Sequence, residues 1–182
     1  MVRAFIAIPC PADVKEEITG IQKEIKTLGD LKLVEPDNIH LTLRFLGEID
    51  AGTIDKISER LDSLSETGGF EISLKGLGVF PKPSYARVIW VGVENGAERI
   101  EELHGKIESE LKTLGFSGEK EFSSHFTIAR VKSIDKSKLI EILNKNSKRE
   151  FGSFPADRIE LMKSELTPMG PRYSLLHDTY LR

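Results

Sequence analysis

The sequence predicts an α+β fold made twice: two pseudo-two-fold related lobes, with antiparallel sheets lining a central cleft and helices outside. Three observations carry that expectation. First, the chain contains two matching stretches, His40-Leu41-Thr42-Leu43 and His125-Phe126-Thr127-Ile128, 85 positions apart. Second, each comes after a long helical stripe that reaches a glycine, with eleven positions from Gly29 to His40 and ten from Gly115 to His125. A separation of that size marks duplication of a whole lobe rather than a short solenoid repeat. Third, helices do not alternate strictly with strands, and several neighbouring strands read as hairpins, which favours antiparallel sheets.

Residues 2–8 are apolar enough for a first strand. Residues 12–28 carry Val14, Ile18, Ile21, Ile25 and Leu28 on one stripe, a helix face that must lie on a sheet, with Gly29 placed to end it. Residues 31–34 form a short strand, and Pro36-Asp37-Asn38 is a turn into the first histidine strand, residues 39–48, which Gly47 closes. Asp50 or Thr53 caps a second helix striped by Ile54, Ile57, Leu61 and Leu64, and Gly68-Gly69 stops it. Residues 70–77 and 86–93 read as an antiparallel pair joined by a proline-containing loop over 79–85. Asn95 is positioned to cap a third helix running to about Leu114, and the second histidine strand comes after it. A shorter helix spans 136–144, and two final strands, 158–166 and 173–181, flank the turn Thr167-Pro168-Met169-Gly170-Pro171.

Composition narrows the function. A chain of 182 residues fits one bilobal domain, 1–182, with a substantial core. No apolar run approaches the ~18 residues of a membrane-spanning helix, and the amino-terminal apolar run is cut short by prolines and charges, so neither a membrane partner nor a signal peptide is expected. The single cysteine, Cys10, excludes an internal disulfide and a cysteine-based metal site and fits a reducing, cytoplasmic setting. The net charge of -3 argues against non-specific coating of nucleic acid, while leaving room for a small basic pocket.

In both motifs the spacing is that of a strand, so each histidine shares a face with its threonine while the apolar pair points inward. A lone strand histidine is more often a hydrogen-bonded structural residue, and the repetition separates this pair from that reading. Near neutrality one imidazole can accept a proton while another donates one, as in-line attack on a phosphodiester requires. Thr42 and Thr127 can donate hydrogen bonds to non-bridging phosphate oxygens. A zinc site fails on ligand count, since a catalytic zinc usually has three protein ligands and none is spaced with these histidines. His104 and His177 read as structural or surface residues. Arg44 falls on the His40 face by strand period unless a bulge intervenes. Arg130 falls formally on the face opposite His125, which a bulge could reverse. Tyr173, after Gly170-Pro171, is either a core residue or a ring on which a base could stack.

HLTLRFLG and HFTIAR resemble the paired signatures of the 2H phosphoesterase superfamily, and RAFIAI and PMGPRYSLL resemble its RNA 2′,3′-cyclic phosphodiesterase branch, also called 2′-5′ RNA ligases. The resemblance covers essentially the whole chain. It implies a bilobal fold and opening of an RNA terminal 2′,3′-cyclic phosphate to a 2′-phosphate without metal, ATP or other cofactor. It also implies His40 as proton donor, His125 as proton acceptor, and Thr42, Thr127 and Arg130 as substrate ligands; Arg44 and Tyr173 are substrate-binding candidates on their positions in the sequence alone. RNA 3′ ends, tRNA fragments among them, are the implied partners, and a monomer suffices because two lobes already make the cleft. Reversibility of the same chemistry implies 2′-5′ ligation. The alternatives are a phosphodiesterase for a small cyclic phosphate or cyclic nucleotide, and a non-catalytic module that binds RNA ends.

Overall fold

The computed structural model describes residues 1–182. In chain order the elements are β1 (Val2–Pro9), α1 (Ala12–Ile25), β2 (Gly29–Leu33), β3 (His40–Ile49), α2 (Ala51–Asp62), β4 (Phe70–Lys82), β5 (Tyr85–Asn95), α3 (Ala97–Thr113), β6 (His125–Ile134), α4 (Lys136–Lys145), β7 (Glu150–Ala156), β8 (Arg158–Thr167) and β9 (Gly170–Tyr180). They form two antiparallel sheets, one ordered β3-β1-β8-β9 and the other β2-β6-β5-β4-β7.

The duplication is written in those orders. Each histidine strand, β3 or β6, lies beside the strand that opens its half, β1 or β5. One strand of each half crosses to the other sheet: β4, after α2, pairs with β5, and β8, which comes after α4 and β7, pairs with β1. The two lobes are thereby interlocked, and the edge strand β2 is the one addition without a counterpart. Helix stripes bury Val14, Ile18, Ile21 and Ile25 of α1, and Ile100, Leu103, Ile107 and Leu111 of α3, in a continuous apolar core.

Local chemistry adjusts several expected boundaries. α1 stops at Ile25, and Lys26–Leu28 forms a 3-10 turn. Gly29 is extended and opens β2; a Cβ there would stand 2.2 Å from the Ser133 carbonyl oxygen, so glycine is needed for close strand approach and not for a left-handed cap. Asp50 caps α2 by accepting the Thr53 N–H at 2.8 Å, and Asp135 caps α4 in the same way. Asn95 does not cap α3: it ends β5, and Gly96 at φ 94° occupies the cap position. The expected loop over 79–85 is mostly strand, because β4 and β5 pair as far as Lys82 and Tyr85 and leave only a tight turn. β3 runs past Gly47 to Ile49, and β7 is a strand that the sequence pattern does not announce.

Candidate active site

β3 and β6 bring the two histidine motifs, one from each sheet, to a single cavity of about 720 Å³. His40, Thr42, His125, Thr127, Arg130 and Tyr173 all line it. Leu41 and Leu43, like Phe126 and Ile128, are buried on the opposite face, as the two-residue period requires.

Both motifs break register at the same point, immediately after the threonine. In β6, Trp90 lies opposite Thr127 and Ile89 opposite Ala129, so Ile128 is an extra residue. The bulge returns Arg130 to the cavity, opposite Val88 and beside Lys32 of β2. It is pinned from behind by Gln22 of α1, which is 3% exposed and whose amide nitrogen donates to the carbonyls of Ile128 and Val34, each at 2.9 Å. Gln22 is absent from the residues that sequence reasoning selects. Its one signal is a lone amide inside the apolar stripe Ile18, Ile21, Ile25.

In β3, Ala7 lies opposite Thr42 and Ile6 opposite Arg44, which makes Leu43 the extra residue. Phe45, opposite Phe5 and 61% exposed, therefore takes the place that Arg130 has in the other half. The expectation that Arg44 shares the His40 face is corrected accordingly. Arg44 reaches the cavity from the side with its guanidinium already engaged: Nε is 2.5 Å from Glu108, Nη1 is 3.5 Å from Glu119, and Nη2 donates to the Ser117 carbonyl. His104, Glu108 and Glu119 could bring three ligand atoms together, but this arginine already supplies the positive charge among them. His177 donates to Asp62, which also accepts from Thr179, so it ties β9 to α2.

Each motif histidine sits in an aromatic box. His40 stacks on Phe5 with centroids 4.8 Å apart and meets the edge of Tyr173 at 5.3 Å. His125 meets Phe80 edge-on at 5.0 Å and Trp90 at 6.2 Å. Trp90 lies flat across β4 because position 78 is glycine, where a Cβ would stand 2.1 Å from the indole. Sequence reading misses Phe5, Phe80 and Trp90, since nothing local distinguishes them from core aromatics.

The surroundings set the proton chemistry. Burial is the main cause that takes His40 down to about 4, opposed by a hydrogen bond to the Asn38 backbone, and its Nε2 lies 2.8 Å from the Thr42 hydroxyl. His125 is also lowered by burial, opposed by its bond to Ser123. Its Nδ1 lies 2.7 Å from the Ser123 carbonyl, which can only accept, so Nδ1 carries the proton and Nε2 of the neutral ring is a free base. Burial raises Tyr173, while the charge of Arg130 opposes that rise. At the end of the cavity the β8–β9 turn is tied to the other residues by Asn38, whose amide donates to the Pro171 carbonyl at 2.9 Å. Burial pushes the Cys10 thiol up to about 12, which removes it as a nucleophile.

Comparison with known proteins agrees with this architecture. The family model described as LigT like Phosphoesterase matches twice, over residues 8–90 and 91–173, one match for each histidine motif. A Methanocaldococcus jannaschii protein named RNA 2′,3′-cyclic phosphodiesterase is 42% identical over 178 residues, covering 97% of this chain and 99% of its own. An Aquifex aeolicus protein of the same name is 37% identical over 100% of this chain and 98% of its own. Among solved structures, a Thermus thermophilus protein superposes with a TM-score of 0.84 at 28% identity, over 99% of this chain and 98% of that one.

Proposed function

Since the chain belongs to the LigT-like phosphoesterase family and is a cyclic phosphodiesterase of the RNA 2′,3′-cyclic phosphate class, we propose that two-histidine acid/base catalysis opens its substrate to a 2′-phosphate end. The observation that carries this reading is the convergence of two His-x-Thr pairs, from two sheets, on one cavity.

In the reaction, water lies in line with the bond from phosphorus to the 3′ oxygen. His125 takes a proton from that water at Nε2, the new P–O bond forms, and the P–O3′ bond breaks as His40 protonates the departing 3′ oxygen. The products are a 2′-phosphate and a 3′-hydroxyl. His40 is neutral in the empty cleft at neutral pH, and the negative phosphate beside it favours the imidazolium needed for the acid role. Thr42 turns its hydroxyl from His40 to a non-bridging oxygen, and Thr127 donates to the other. Arg130, with Lys32 beside it, offsets charge on the phosphate or the preceding phosphodiester. Arg44, whose guanidinium is held by Glu108, Glu119 and the Ser117 carbonyl, holds structure at the rim.

Phe45, exposed in the cavity, offers a face to the terminal base; Tyr173 is already packed against His40 and Phe5, so its part is to hold His40. The Lys32–Arg130 pair favours an RNA end over an isolated small cyclic phosphate. The scheme requires neither metal nor nucleotide, and the whole chain acts as one bilobal domain and a monomer. Run backwards, with a 5′-hydroxyl RNA end in place of water, the same residues form a 2′-5′ bond. Product analysis tests the proposal: a short RNA ending in 2′,3′-cyclic phosphate, treated in EDTA, should yield only the 2′-phosphate. A 3′-phosphate product, or loss of activity on chelation, would overturn it.

A further inference from the structure

The segment between α3 and β6 carries Ser123, whose carbonyl fixes the proton on His125. Across residues 117–123 no backbone group enters a backbone-to-backbone hydrogen bond, so nothing in the main chain holds that carbonyl in place. Side chains do. The Glu119 N–H donates to Glu108 of α3 at 3.1 Å, and the Glu119 carboxylate lies 3.5 Å from both His104 Nε2 and Arg44 Nη1. Phe122 stacks on His104 with centroids 4.0 Å apart and planes within 6°. Arg44, from β3 in the other sheet, completes the set by pairing with Glu108 and donating to the Ser117 carbonyl.

We propose that Arg44, Glu108 and Glu119 form an inter-lobe latch that positions the Ser123 carbonyl and so keeps His125 in the tautomer with a bare Nε2. The inference rests on the reading of His125 as the base. Arg44 is suited to the task because its planar fork can meet two carboxylates and a carbonyl at once, which a lysine cannot. It also leaves the strand two residues after Thr42, so closing the latch fixes the loop of one lobe against the phosphate-holding strand of the other. Without the guanidinium, Glu108 and Glu119 would repel each other at the root of the loop, and the part-buried Glu108 would lose its only cationic partner from the opposite lobe. The latch never touches the reacting atoms. These are positioning residues, and their loss acts through His125.

The test uses Arg44→Ala, Arg44→Lys and, as the milder loop variant, Glu119→Gln, with two readouts. Nitrogen-15 NMR of the free protein reports the His125 tautomer, and kinetics on a cyclic-phosphate RNA report kcat and KM separately. The latch predicts a mixture of tautomers in Arg44→Ala and a fall in kcat on the order of 10²-fold, as for a misplaced reacting group, with KM changed less than about threefold. Arg44→Lys should recover part of both, and Glu119→Gln should lie between it and the wild type. A wild-type tautomer and kcat in all three, with only the melting temperature lowered, would overturn the proposal. So would a raised KM at unchanged kcat, which would make Arg44 a substrate ligand. If the wild-type protein does not open the cyclic phosphate, the catalytic reading fails, and the NMR result still decides whether the latch holds His125.

Discussion

Folding buries His40 far enough to move it from 6.5 to about 4, so its protonation should strain the native state in a calculable way. Between those two values the unfolded chain binds a proton at this ring and the folded chain does not. Stability must therefore fall as pH drops from about 6.5 towards 4 and level off below. Each unit of displacement corresponds to about 1.4 kcal/mol, and at about pH 4.5 the cost from this one ring is on the order of 2 to 3 kcal/mol relative to neutrality. The perturbation is His40→Gln, which removes the titrating group and fills similar space. The assay is urea unfolding of wild type and variant at pH 7.5 and 4.5. Other groups, His125 included, titrate alike in both proteins and cancel in the comparison, as does the lost Thr42 bond. The wild type should lose about 2 to 3 kcal/mol more than the variant on acidification. Equal losses would refute the claim that the aromatic box formed by Phe5 and Tyr173 desolvates His40. Inorganic phosphate should narrow the difference, since its charge stabilises the imidazolium.

The same geometry has other consequences. Both motif histidines are lowered by burial, so the optimum of kcat/KM, which reports the free enzyme, should lie on the acid side of 6.5; the profile of kcat should move to higher pH because bound phosphate raises His40. An optimum of kcat/KM above pH 7 would contradict those environments. Gln22→Leu leaves the Ile128 and Val34 carbonyls without their buried donor and should cost about 1 to 3 kcal/mol in urea unfolding, with KM raised as Arg130 loses its bulge. Retention of wild-type stability would mean that the bulge needs no pin. Phe45→Ala should weaken binding of an RNA end with a normal base by about 1 to 3 kcal/mol in KM terms and leave an abasic cyclic-phosphate end unaffected; equal losses on both would remove the stacking role.

The two histidine strands are legible in the sequence because their alternation is unbroken up to the threonine, and each has a helix stripe before and after it to frame the repeat. Beyond the threonine the alternation is no guide. Arg44 and Arg130 occupy different positions after their histidines, and which one faces the cavity is decided by an extra residue after each threonine. That extra residue is a property of pairing with β1 and β5, together with Gln22 in the case of β6, and no local pattern encodes it. Likewise β7 is hidden by Gly152 and Pro155, which weaken a strand read alone yet are tolerated at the edge of the five-stranded sheet. The turn between β4 and β5 reads as a longer loop because its prolines suggest one; pairing with β5 nevertheless carries β4 through Pro81 to Lys82. The proposed latch around Arg44 draws on residues far apart in the chain, Arg44 from β3, Glu108 from α3 and Glu119 from the segment after α3, and no local pattern announces that they meet.

The division of labour between the histidines is tested most directly by changing the leaving atom. A cyclic phosphate whose 3′ bridging oxygen is replaced by sulfur departs without needing a proton. Comparing the oxygen and sulfur substrates in wild type, His40→Ala and His125→Ala isolates the acid step. If His40 is the acid, His40→Ala loses on the order of 10² to 10⁴-fold on the oxygen substrate and recovers most of it on sulfur, while His125→Ala is impaired on both. Rescue of His125→Ala instead would reverse the assignment, and full activity of both variants on the oxygen substrate would contradict two-histidine catalysis altogether.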